Sequence, residues 1–330
     1  MDYQFVGNTG VKVSRLAFGT MSFGGDADET TSGQLFSRCR DAGINFFDCA
    51  NMYQQGKAEE ILGKLIAPCR EEVIISSKVY FNIGTGENAG GASRRHILQA
   101  VEASLRRLKT DRIDFYFIHR FDDRTDLEQT LRALNDLVSQ GKILYPMASN
   151  FAAWQVSKAL GISAIRGFAR FAGIQPMYNL LKRQAEVELL PMAQAENLAV
   201  FSYSPLAAGI LSGKYFKNTA QEVSRLKTNK IYQARYADQG ITDTVSHFLQ
   251  YAESHGYDPA SLAVAWVASH PAITAPILGA RNLNQLESSL KALEIPMTAE
   301  MRAEICAFSP TPAPATDRNE EVSSASFGVR

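Results

Sequence analysis

Four ionisable side chains fall at or just beyond the ends of three consecutive β-branched or aromatic runs. Asp48 stands near the end of INFFDCA, Lys78 near the end of VIISSKV and His119 at the end of IDFYFIH, while Tyr53 lies five residues beyond the aspartate. Singly, each has an ordinary structural use: an aspartate caps a turn, a lysine reaches for solvent, and a tyrosine or histidine packs. Together they could deliver a proton. A phenol with a pKa of about 10 is a poor acid at neutral pH, a neighbouring ammonium lowers that pKa, and a carboxylate holds the ammonium.

Such a set works only if successive runs lie side by side with their ends on one rim. Runs at 16–22, 44–50, 73–79, 113–119, 142–149, 172–177, 198–204 and 273–279 read as strands. Amphipathic segments at 28–42, 57–67, 93–109, 126–140, 152–160, 184–196, 243–255, 259–269 and 283–293 read as helices between them. In the third, Ile97, Val101, Leu105 and Leu108 form one apolar stripe. Eight strands, each followed by a helix, predict a (β/α)8 TIM barrel, because an open doubly wound sheet usually stops near six strands. In that fold, chemistry gathers where strands end. Around the barrel the sequence predicts an N-terminal hairpin (3–6 and 11–14), a long loop after strand 7 (207–242), a closing segment at 298–307 and a loosely held tail at 309–330. Residues 1–330 read as one barrel domain with its core at about 16–293.

Lysine plus arginine and aspartate plus glutamate each total 34, so no global basic field would hold nucleic acid or an anionic membrane. With no apolar signal core in MDYQFVGNTG and no run near membrane-spanning length, a cytoplasmic protein is expected. Cys39, Cys49, Cys69 and Cys306 form no CxxC pair and no ligand spacing with the histidines, so no metal is expected, and Cys49 reads as a small buried hydrophobe. GTGENAGG (84–91) reads GxGxxxG and begins too far from its strand for a dinucleotide fingerprint. GILSGKY (209–215) is one residue short of a P-loop.

The stretch FFDCANMYQQGKAEEILGKL, with VIISSKV and DFYFIHR, resembles the aldo-keto reductase family from the first hairpin to about residue 308. The resemblance implies Tyr53 as general acid, Lys78 and Asp48 as its tuning pair, and His119 as the group that orients a carbonyl. It also implies a nicotinamide site: Gly19, Thr20 and Met21 on the first strand; Ser149, Asn150 and Gln175 at the carboxamide; Tyr203 under the nicotinamide ring; Ser204, Leu206, Gly209, Leu211 and Lys214 around the pyrophosphate; Gly279, Arg281, Gln285 and Ser289 at the adenosine. Arg281 opens the last barrel helix, where backbone N–H groups and a guanidinium can receive a 2′-phosphate. NADPH is therefore the expected cofactor, with NADH left open; Lys217 could add a distant attraction.

The expected activity is reduction of an aldehyde or ketone, with Phe23, Tyr80, Phe81, Arg120 and Phe121 framing a pocket for a small carbonyl substrate. Two other readings stand beside it: a cofactor-binding subunit similar to ion-channel auxiliary barrels, and a Schiff-base aldolase using Lys78. Two positions depart from the family pattern. Pro146 interrupts the fifth strand, and Ser289 replaces the usual asparagine.

Overall fold

The computed structural model describes residues 1–215, 230–237, 240–318 and 320. The apolar runs form strands, somewhat shorter than the runs themselves. The strands β1 (Tyr3–Phe5) and β2 (Lys12–Ser14) pair as an antiparallel hairpin. The remaining ones, β3 (Ala17–Gly19), β4 (Phe46–Asp48), β5 (Ile74–Val79), β6 (Ile113–Ile118), β7 (Ile143–Ser149), β8 (Gly173–Gln175), β9 (Ala199–Ser202) and β10 (Ala275–Leu278), close a parallel barrel in chain order, with β10 pairing back to β3.

Period-two alternation divides each strand between two cores. The lumen holds Ala17, Phe46, Phe115, Phe117, Met147, Phe201, Ala275 and Ile277, joined from below by the hairpin's Val6 and Val13. Phe46, Phe115 and Phe201 lie 4.7 to 5.7 Å apart, ring to ring. Each buried ring contributes roughly 1.5–3 kcal/mol, so the hairpin and these rings make a solid floor. The alternate residues face helices α1 (Glu29–Asp41), α2 (Lys57–Ile66), α3 (Arg94–Leu108), α4 (Leu127–Ser139), α5 (Ala153–Arg166) and α6 (Leu189–Ala195). The outer ring continues with Ile241–Ser254, Pro259–Ala268 and Leu283–Leu290, and Ala299–Cys306 follows it. Asp28, Ser93 and Asp126 cap their helices by accepting from a first-turn N–H.

Some elements differ from expectation. Helix α5 continues to Arg166 and stops at left-handed Gly167. The helix expected over 184–196 breaks into a 3-10 turn, Gln184–Glu186, and α6, because Pro191 has no N–H to give to a preceding turn. Pro146 is accommodated within β7. Its carbonyl accepts from Ala172 N (2.9 Å), ahead of the first residue of β8, so the missing N–H falls where that ladder has not begun. Within the loop after β9, a short helix at Lys230–Arg235 carried no sequence signal. Lys217, part of that loop and the last residues of the expected tail lie outside the described residues. Among the described residues, no helix is long and apolar enough to cross a membrane.

Candidate active site

Two residues beyond the apolar floor, the lumen-facing row turns polar. Phe46 is followed by Asp48, Ser76 by Lys78, Phe117 by His119, Met147 by Ser149, and Phe201 by Tyr203. Asp48 sits level with Ser76, and Lys78 with Phe117. Fully buried Lys78 donates to Asp48 Oδ2 (2.6 Å), the Cys49 carbonyl (2.8 Å) and Tyr53 Oη (3.3 Å), which uses all three ammonium protons. Asp48 Oδ1 accepts from Ser76 Oγ (2.7 Å) and from Gln175 Nε2 (2.9 Å). Since β8 stands opposite β4 in the barrel, the glutamine bond crosses the lumen. A buried ion pair is tolerated only when its remaining lone pairs are satisfied, and this one meets that condition.

Tyr53 begins a single 3-10 turn, Tyr53–Gly56, that leads into α2. Gln54, Gln55 and Gly56 follow with φ of 48°, 55° and 93°, three consecutive left-handed residues. This costly path turns the chain sharply and brings the Tyr53 ring to Lys78. His119 follows β6, its N–H donating to the Val79 carbonyl (2.9 Å). Its ring meets Tyr53 and Phe81 edge-on, with centroids 6.2 and 5.0 Å apart. Its Nδ1 is buried and has no hydrogen-bond partner among the described residues.

Burial, and then the Lys78 charge, hold the His119 imidazole well below its ordinary pKa, so the ring is neutral at physiological pH. Tyr53 moves the opposite way from the sequence expectation. Burial first, and then the Asp48 charge, raise the phenol well above its ordinary pKa. The ammonium does stand beside the phenol, but its charge is matched by Asp48 at closer range. Tyr53 therefore keeps its proton across the physiological range. Cys49 is buried, and burial pushes its thiol well up, as a small inert core residue would behave.

The expected cofactor residues divide into two groups. Ser149, Asn150, Gln175 and Tyr203 form one connected set: Tyr203 Oη donates to Asn150 Oδ1 (2.8 Å), Asn150 Nδ2 donates to the His119 carbonyl (2.8 Å) and to Ser149 Oγ (3.1 Å), and Ser149 Oγ donates to the Gln175 carbonyl (2.9 Å). Left-handed Asn150 and Ser204 turn the chain out of the barrel at both strand ends. Gly19 is needed at close quarters, since a Cβ there would stand 2.9 Å from the Ile277 side chain. Thr20 is buried with N and Oγ1 both on the Asp48 carbonyl, whereas Met21 is 38% exposed.

On the far side, the Leu211 side chain is fully buried, and Leu206 is half-buried against the same core. Lys214 folds over Gly209 and lies 5.0 Å from the Tyr215 ring. Gly279 is open at the surface, with nothing near the place of a Cβ. Gln285 Oε1 accepts from Arg281 N (3.1 Å) at the start of helix Leu283–Leu290. Ser289 is 1% exposed and donates to the Gln285 carbonyl one turn back, so it does not present its hydroxyl to the rim. Glu287, on the same helix, is gripped through both oxygens by Arg38.

The expected pocket is corrected at Phe23. A turn in which Phe23 N donates to the Thr20 carbonyl (2.9 Å) folds its ring back onto Phe18, 5.9 Å away, where it is fully buried in the core. Tyr80 and Phe81 remain half-buried edge to face, Arg120 is exposed, and Phe121 packs on Phe151 and on Trp154, which is 61% exposed. Sequence reasoning passed over four contributors. Ser76 and Trp154 were within its reach: the first shares the lumen face with Lys78 by period two, and the second opens α5 just after Asn150. Tyr232 and Arg235 sit in the long loop without periodic context, yet the Arg235 guanidinium lies 5.9 Å from the Tyr203 ring and 5.1 Å from Tyr232.

A closed parallel barrel thus carries a phenol, an ammonium, a carboxylate and a neutral imidazole at one rim. The chain belongs to the Aldo/keto reductase family, whose model matches residues 15–309, and it is an NAD(P)H-dependent oxidoreductase. It is 38% identical over 312 residues to a Bacillus subtilis (strain 168) protein named "Uncharacterized oxidoreductase YrpG", covering 91% of this chain and 94% of that one. It is 33% identical over 329 residues to the versiconal hemiacetal acetate reductase of Aspergillus parasiticus, covering 91% and 94%. It is also 35% identical over 302 residues to an Arabidopsis thaliana protein named "Probable voltage-gated potassium channel subunit beta", covering 89% and 92%.

Proposed function

We propose that this protein reduces an aldehyde or ketone to an alcohol with NADPH, and that Tyr53 supplies the proton. The observation that carries the reading is the Lys78 ammonium, shared at 2.6 Å with Asp48 and 3.3 Å with Tyr53 at the mouth of a closed barrel. The residues present fit a nicotinamide dinucleotide. Tyr203 offers a half-buried ring anchored by its hydroxyl, Ser149, Asn150 and Gln175 offer amide and hydroxyl groups beside it, and Gly279 leaves open space before Arg281 and a helix N-terminus. When bound, the cofactor supplies the hydride.

The chain's own residues do the rest. A neutral His119 donates an N–H to the carbonyl oxygen and orients it, while Tyr53 holds its proton beside the Lys78 ammonium, which must offset the raised pKa of the phenol as the proton leaves. As negative charge grows on that oxygen, the proton moves from Tyr53 Oη, and the adjoining ammonium stabilises the phenolate left behind. Asp48 keeps the ammonium fixed, and a lysine so held is a poor nucleophile, which speaks against Schiff-base chemistry. Tyr80, Phe81, Phe121 and Trp154 favour an aromatic or medium-sized carbonyl. Arg281 favours NADPH by receiving its 2′-phosphate.

Oxidation of NADPH against a panel of aryl, aliphatic and sugar carbonyls tests the reading, with turnover expected to be best on aryl aldehydes. The name of the Arabidopsis relative favours one second reading, a cofactor-binding regulatory subunit. Tight NADPH binding without turnover on any carbonyl would favour it.

A further inference from the structure

Behind the active site, on the opposite face of β5, lies another ion pair, its carboxylate buried and its arginine half-buried, that the proton-transfer scheme does not use. Glu59 of α2 is fully buried. Its Oε2 accepts from Arg107 Nε of α3 (2.7 Å) and its Oε1 from Ser77 Oγ of β5 (2.5 Å). Gly56, which precedes α2, and Glu59 and Gly63 within it lie on one face, and all three meet the end of α3. A Cβ at Gly56 would stand 2.8 Å from Arg107 Cδ and Nε, and one at Gly63 2.6 Å from the Arg107 carbonyl. The Arg107 side chain is thus wedged against the last residue of the left-handed turn that carries Tyr53, while Ser77 adjoins Lys78.

We infer that Glu59 and Arg107 are positioning residues for the proton transfer, a clamp that holds the Tyr53 turn and the Lys78 strand in fixed relation. The inference rests on Tyr53 being the proton donor. A turn of three left-handed residues, two of them glutamines, does not hold itself and must be fixed by its surroundings. Arg107 presses on its end from one side, and Glu59 ties Arg107 to β5. An ion pair with a buried carboxylate adds little net stability compared with apolar residues of similar volume, so stability alone gives a weak reason for this one. Misplacement of a reacting group by about an ångström costs up to about a hundredfold in rate.

The test is the double variant Glu59→Leu/Arg107→Met in the full-length protein, which fills the site without charge. At an unchanged melting temperature, kcat should fall about ten- to hundredfold. The NADPH Kd should stay constant, a larger solvent deuterium isotope effect on kcat should appear, and the amides of residues 53–57 should exchange faster. Wild-type kcat and wild-type exchange in that variant would overturn the inference. Should the double variant fail to fold, Arg107→Lys decides. It keeps a cation for Glu59 but withdraws the guanidinium from Gly56, so about a tenfold loss of kcat supports the clamp and an unchanged kcat overturns it. If the wild-type protein reduced no carbonyl, the functional reading would fall, while amide exchange at 53–57 would still decide for or against the clamp.

Discussion

On the β4–β6 side of the barrel mouth, Asp48, Ser76 and Lys78 are buried and bonded to one another, and Tyr53 already lies within reach of the ammonium. On the β10 side, Gly279 and Met21 are exposed, and Gln285 and Ser289 bond to the backbone of their own segment. Under the proposed function, the physical demands on the two sides differ. Proton transfer depends steeply on distance and on a fixed electrostatic setting, so its groups must be placed beforehand. Holding a long, charged ligand tolerates groups that change partners as it binds.

The strongest way to break this contrast is Lys78→Met. It should lower kcat by about 10²- to 10⁴-fold with NADPH affinity unchanged, whereas Asp48→Asn, which can still accept from Lys78, should be milder. Stopped-flow turnover together with fluorescence titration of NADPH checks both; a Lys78→Met variant altered only in KM would show that the buried side is scaffolding. Phe23 sharpens the boundary between core and rim. Phe23→Ala should cost about 3–5 kcal/mol of stability in urea unfolding and leave KM unchanged, while Phe81→Ala should raise KM with little loss of stability.

On the open side, Arg281→Ala should weaken NADPH about ten- to hundredfold and leave NADH nearly unaffected, as measured by dissociation constants at low and high salt. Equal wild-type affinity for the two cofactors would remove the phosphate role. The smallest effect concerns acid stability. Burial first, and then Arg302, bring His270 down to about 4, and burial also lowers His96 and His119. Below about pH 6.5 the unfolded chain binds protons that the folded chain refuses, so these groups remove stability as pH falls and stop doing so near their folded pKa values. The urea midpoint should therefore decline from pH 6.5 towards 4, and His270→Gln should flatten that limb.

Much of this architecture was legible because two periodicities suffice to read it. The eight barrel strands appear as apolar runs, and the same period of two that fills the lumen with Phe46, Phe117 and Phe201 places Asp48, His119 and Tyr203 one step higher. What escaped depended on local turns and long-range packing. The turn at Thr20–Phe23 sends a pocket candidate into the core, Ser289 is buried by its helix, and Arg235 reaches Tyr203 from a loop without a repeating pattern. The direction of the Tyr53 shift was also beyond sequence, because it depends on whether burial and Asp48 outweigh Lys78, which only distances and accessibility decide.

The most direct measurement of the central claim is Tyr53→Phe, compared with wild type in single-turnover reduction of a reactive aryl aldehyde and in NADPH binding. The ring and its packing remain, and only the proton is lost. The account predicts a hydride-transfer rate lower by about 10²- to 10⁴-fold with an NADPH Kd within about twofold of wild type. A variant that kept more than about half of the wild-type rate would contradict it and leave the proton to another donor.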